Sequence, residues 1–99
     1  MTATIYYAVT ELDGSERETR FKGRVAWALD SLIGAGDAGC TPIDTPGPRW
    51  SGYVHRLRCA GIDVQTITEA HGGPFKGTHA RYVLRTKVRR LTPELREAA

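Results

Sequence analysis

Arg49-Trp50-Ser51-Gly52-Tyr53-Val54-His55-Arg56-Leu57-Arg58-Cys59-Ala60-Gly61 reads as a helix with two unlike faces. Trp50, Tyr53, Val54 and Leu57 fall at i, i+3, i+4 and i+7 and make one apolar stripe, while Arg49, His55, Arg56 and Arg58 lie off it. One face packs and the other carries positive charge. Gly61 follows the last periodic residue, where a helix ending in a left-handed turn favours a residue without a Cβ. Upstream, Thr41-Pro42 combines a helix N-cap with a first-turn proline and predicts a short helix. Thr45-Pro46-Gly47-Pro48 then breaks the chain before the main helix starts.

Downstream, Ile62, Val64, Thr66 and Thr68 alternate with mostly polar neighbours, as do Ala80, Tyr82 and Leu84. Two strands are expected. Between them, His71-Gly72-Gly73-Pro74-Phe75-Lys76-Gly77-Thr78-His79 is too rich in Gly and Pro to continue either strand. It reads as a hairpin loop with a basic tip.

A short helix, a turn, a basic helix running into Leu57-Arg58-Cys59-Ala60-Gly61-Ile62-Asp63-Val64, and a hairpin closing on Arg81-Tyr82-Val83-Leu84 resemble a winged helix-turn-helix domain. The kind is the short one common in bacterial and phage regulatory proteins. The resemblance spans about residues 24 to 88, counting a helix before Thr41, and names a fold more than a protein. It implies an α+β fold, a three-helix core with a β-hairpin wing, here preceded by an N-terminal β-hairpin. It also implies that the helix from Arg49 to Ala60 is the recognition helix and the loop from Glu69 to His79 the wing. Two features depart from the pattern. The turn is rich in proline, and Gly52 sits inside the helix, where it costs about 1 kcal/mol relative to Ala.

A chain of 99 residues supports one domain, organised as a hairpin over 1–22, the helix-turn-helix and wing over 23–88, and a tail or short helix over 89–99. No run approaches the length of a membrane span, and Met1 to Ile5 lacks the basic start and apolar core of a signal peptide, so a cytoplasmic location is expected. Cys40 and Cys59 have neither zinc-site spacing nor the density of a disulfide framework and read as reduced thiols.

The net charge of +3 hides a separation. Residues 49–90 hold nine Lys or Arg against Asp63 and Glu69, a balance of +7, whereas residues 1–48 balance to −3. Positive potential is concentrated on the helix and wing. Such a surface draws a polyanion, with an affinity that falls steeply with salt.

At the N-terminus, residues 3–10 are rich in β-branched and aromatic side chains, 17–22 form a second candidate strand, and Asp13-Gly14-Ser15 supplies a turn. This hairpin extends the core, adds to the wing sheet, or serves as a dimer-forming arm. Val25, Leu29, Leu32 and Ile33 mark a first helix ended by Gly34 and Gly36, with Trp27 off its stripe and placed under the hairpin. Thr92-Pro93-Glu94 predicts a short terminal helix.

If double-stranded DNA is the partner, Arg49, Ser51, Gly52, His55 and Arg56 are placed to reach base edges in the major groove, and Arg58 to meet a phosphate or a surface ion pair. The wing adds Lys76, Thr78, His71 and His79, with Arg81 and Arg85 on one face of its closing strand. Transcription regulation or an accessory, phage-type role follows, and a homodimer is expected for useful specificity. The rival is a protein-interaction module sensitive to Ile5, Tyr7 or Val9. RNA binding would require exposed aromatics, for which Phe75 is the candidate. No catalytic motif, cofactor loop or metal-ligand spacing is present, so the chain is read as a non-enzyme without cofactor.

Overall fold

The computed structural model describes residues 3–47, 49–72 and 77–92. Strand β1 (Thr4–Thr10) turns through Asp13, whose carboxylate accepts from the Ser15 N–H at 2.9 Å and hydroxyl at 2.6 Å, into β2 (Glu16–Lys22). Helix α1 (Gly23–Ala35) follows without a linker and ends in a 3-10 turn at Gly36–Ala38. Helix α2 (Trp50–Cys59) precedes the antiparallel pair β3 (Val64–His71) and β4 (Gly77–Leu84), and β5 (Val88–Leu91) closes the order. The class is α+β, with two sheets and two α-helices among the described residues.

The N-terminal hairpin is more than an arm. β1 pairs antiparallel with β2 along its whole length and with β5 on its other side, so it is the central strand of a three-stranded sheet separate from β3-β4. Tyr7 and Val9 are 0% and 1% exposed in the core with Leu29, Leu32, Leu57, Ile62 and Val64. Burying each such side chain contributes about 1.5–3 kcal/mol. Substituting Tyr7 or Val9 therefore tests the fold and not an assembly surface. β5 is legible in the sequence only as a basic run, because a four-residue strand with Val88 as its one buried position shows no period.

Among the described residues two α-helices, and not three, make the helical part of the core. The expected helix at Thr41 is a single turn, in which Thr41 Oγ1 accepts from the Asp44 N–H at 2.9 Å and its carbonyl accepts from the Thr45 N–H at 2.9 Å. The cap is made as the sequence requires. Pro46 then offers no N–H for a next helical bond, so the turn cannot propagate.

Helix α2 comes within one residue of the expected Arg49–Ala60 at each end, those two residues being its caps. Trp50, Tyr53, Val54 and Leu57 are all buried. Its end is a Schellman closure: Ile62 N–H donates to the Leu57 carbonyl, Gly61 N–H to that of Arg58, both at 3.0 Å, and Gly61 has φ +81°. Trp27 packs on Trp50 at 5.5 Å and on Tyr53 at 6.3 Å, so its ring partners lie on α2. The preceding turn presses against it, since a Cβ at Gly47 would come within 2.8 Å of the Trp27 ring. Trp50 also stacks on Tyr82 of β4 at 5.8 Å, and its indole N–H donates to the Thr45 carbonyl at 2.7 Å. α2 is thus clamped by α1, the turn and the β3-β4 hairpin.

That hairpin is longer in strand and shorter in loop than the composition implies. Glu69, His71, Thr78 and His79, expected in the loop, pair in the ladder, Glu69 opposite His79 and His71 opposite Gly77. A one-residue third strand is added where Cys40 exchanges two 2.8 Å backbone bonds with Tyr82. Gly73 to Lys76 and the expected terminal helix from Pro93 lie outside the described residues, as do Phe75 and Lys76 themselves.

Candidate nucleic-acid interface

At about 100° per residue, the apolar stripe of α2 leaves an outward arc centred on Gly52, His55 and Cys59. Each of these is exposed. Ser51 and Arg58 flank the arc on one side, Arg49 and Arg56 on the other. The two flanks meet different neighbours.

On the first flank, Arg58 reaches β3, donating to the Val64 carbonyl at 3.2 and 2.6 Å and to Thr66 Oγ1 at 2.8 Å. It ties the helix to the hairpin. Along one face of the hairpin a chain of polar groups continues outward. Arg81 donates from Nε to Glu69 at 2.7 Å and from a terminal nitrogen to the Ala38 carbonyl at 2.7 Å. His79 Nε2 meets the other Glu69 oxygen at 3.0 Å, and His79 Nδ1 lies 3.0 Å from Nδ1 of His71, the two rings stacked. The hydrogen bond from Arg81, helped by His79, holds the Glu69 carboxyl below the usual glutamate range. A carboxylate accepts only, so His79 Nε2 carries a proton, and of the facing Nδ1 atoms one donates and one accepts. Arg85 likewise donates to Gln65 at 2.7 Å.

The second flank is uncompensated. The side chains of Arg49 and Arg56 make no hydrogen bond or ion pair among the described residues. Ser51 and Gly52 are exposed, and the one near neighbour a Cβ at Gly52 would meet is Arg49 Cβ, at 3.8 Å. His55 Nε2 lies 3.6 Å from the exposed Cys59 thiol one turn on.

The charge separation read from the sequence is partly undone by folding. Arg89 pairs with Glu16 at 3.2 Å and Arg90 with Asp30 at 3.1 Å, so the basic C-terminal strand is neutralised by β2 and α1. Arg17 pairs with Glu11 and donates to the Ala60 carbonyl at 2.6 Å. Asp30 also accepts from the buried Tyr7 phenol at 2.8 Å, and burial together with that carboxylate pushes the phenol well above its ordinary range.

Among known proteins, the sequence model of a family described as Winged helix domain matches residues 18–94, more than half of the chain. The chain belongs to the winged helix family. No curated protein and no solved structure shows a significant match to it. The winged helix span begins within β2 and runs past β5, so the central strand β1 lies outside the matched residues. Within the winged helix span, α2 lies between the turn before it and the β3-β4 hairpin, the segment that the sequence reading expects to carry the wing.

Of the residues the sequence singled out, Arg49, Ser51, Gly52, His55 and Arg56 share the outward surface of α2. Arg58, His79 and Arg81 are engaged within the winged helix, Thr78 is exposed on the wing, and Lys76 lies outside the described residues. The sequence does not single out Arg20 and Lys22, which line a cleft with Arg56. Their alternation with Phe21 marks them as outward, but nothing in the residue order sets them beside α2. No group of three His, Cys, Asp or Glu among the described residues is arranged to hold a metal, and no described helix is long and apolar enough to cross a membrane.

Proposed function

We propose that this winged helix protein binds double-stranded DNA, with the outward face of α2 in the major groove and the wing on the backbone or in the minor groove. The observation that carries the reading is the outward face of α2. The guanidinium groups of Arg49 and Arg56 commit no donor inside the described protein, and the helix beneath them is fixed by buried aromatics. A guanidinium free to donate two parallel bonds matches the acceptor pair of guanine, and each such pair contributes about 1–3 kcal/mol of base discrimination. Gly52 lets the helix backbone come close to the groove. The role is that of a transcriptional regulator or an accessory, phage-type DNA-binding factor, acting as a homodimer that reads two half-sites.

The test is fluorescence anisotropy on a random duplex pool at two salt concentrations, with an Arg49→Ala/Arg56→Ala variant beside the parent. Binding that weakens steeply with salt and is lost in the variant supports the reading. Absence of binding at low salt by a folded parent overturns it and leaves a protein-interaction module as the account of the basic surface.

A further inference from the structure

A cleft of about 350 Å³ opens between the end of β2, the first turns of α1 and the side of α2, lined by Thr4, Arg20, Phe21, Lys22, Val25 and Arg56. Three of the six are cations and none is an acid. Phe21 and Val25 pack against the core and give the cleft an apolar floor. Elsewhere in the molecule arginines are neutralised by partners within the chain, as at Arg81, Arg89 and Arg90. The side chains of Arg20, Lys22 and Arg56 have no hydrogen bond or ion pair among the described residues. Like charges gathered without a counter-charge oppose folding, and a bound anion removes that opposition.

We propose that this cleft is a phosphate-binding subsite for a backbone phosphodiester of the duplex, with Arg20 and Lys22 on one wall and Arg56 on the other. The proposal rests on the DNA reading and extends it. The nucleic acid's path runs from α2 onto the β2 and α1 side of the molecule, opposite the wing. A tetrahedral phosphate offers acceptors to all three side chains at once. Arginine supplies a planar pair of donors, and lysine a mobile point charge. Arg56 belongs both to the outward edge of α2 and to the cleft, so one strand's backbone would enter the cleft where the groove walls pass α2.

The experiment compares the full chain with an Arg20→Ala/Lys22→Ala variant, whose replaced side chains bond to nothing within the described protein. A melting temperature no lower than the parent's verifies its fold. Duplex affinity is measured by anisotropy across a salt series, and the backbone amides of residues 20–25 are followed by NMR on adding duplex or inorganic phosphate. The expected result is at least tenfold weaker duplex binding in the variant. The slope of log affinity against log salt should be shallower by about one for each phosphate that the variant no longer neutralises. Amide shifts on duplex addition should centre on residues 20–25. Equal duplex affinity and slope in parent and variant overturn the proposal while leaving the DNA reading intact. Shifts with inorganic phosphate but equal duplex affinity assign the cleft to a free anion and also overturn it. A parent that binds no duplex overturns both readings.

Discussion

The two flanks of α2 carry arginines of the same helix, a few residues apart, and treat them differently. On the wing side Arg58 is engaged by the Val64 carbonyl and Thr66, and Arg81 by Glu69 and the Ala38 carbonyl. On the β2 side Arg49, Arg56, Arg20 and Lys22 keep every side-chain donor open among the described residues. The contrast separates cations that hold the fold from cations available to a partner. Counting charge along the chain gives both groups equal weight. The hydrogen bonds do not.

The contrast is broken most directly by removing arginines from each flank in turn. Arg49→Ala/Arg56→Ala should lower duplex affinity by about 100-fold or more, Arg49 through a base-edge pair of about 1–3 kcal/mol and Arg56 through its phosphate contact, and leave the melting temperature within a degree or two. Arg58→Ala should do the reverse. Loss of its bonds to β3 should cost about 1–2 kcal/mol of stability in a urea titration, with the salt slope of duplex binding unchanged. If Arg58→Ala abolishes binding in a protein of parental stability, the division between the flanks is wrong.

A smaller effect sharpens the outward face itself. Gly52→Ala has room for its methyl group and should stabilise α2 by up to about 1 kcal/mol while weakening duplex binding several-fold. A variant gaining both stability and affinity would mean that the backbone at Gly52 does not approach the groove. The smallest expected effect lies on the wing. Glu69 has a lowered pKa in the folded protein, so its pairing with Arg81 is fully present above the ordinary glutamate range and is lost as pH falls through the lowered value. Acid titration followed by NMR should move the amides of residues 69–71 and 77–81 together, and Glu69→Gln should remove that step.

Much of this is legible in the residue order. The stripe of Trp50, Tyr53, Val54 and Leu57 and the stop at Gly61 are local properties, and α2 takes those boundaries because helix period and left-handed capping depend on near neighbours. The N-terminal hairpin and the Thr41 cap are readable for the same reason. Failure of the Thr41 turn to grow is also written in the chain, at Pro46, whose missing N–H outweighs a well-made cap. The place of Trp27 is not legible, because an off-stripe aromatic does not say which neighbour it meets, and the Trp50 ring closes over it only on folding.

The sequence alone determined the class of the molecule, a basic amphipathic helix followed by a hairpin, because period, capping and turn chemistry act over a few residues. Only the tertiary structure decided which cations remain free. Arg89 meets Glu16 across 73 residues of chain and Arg90 meets Asp30 across 60, pairings that no local pattern encodes. The same long-range packing that neutralised those two gathered Arg20, Lys22 and Arg56 around one cleft, since a Coulomb interaction depends on separation in space and not on distance along the chain.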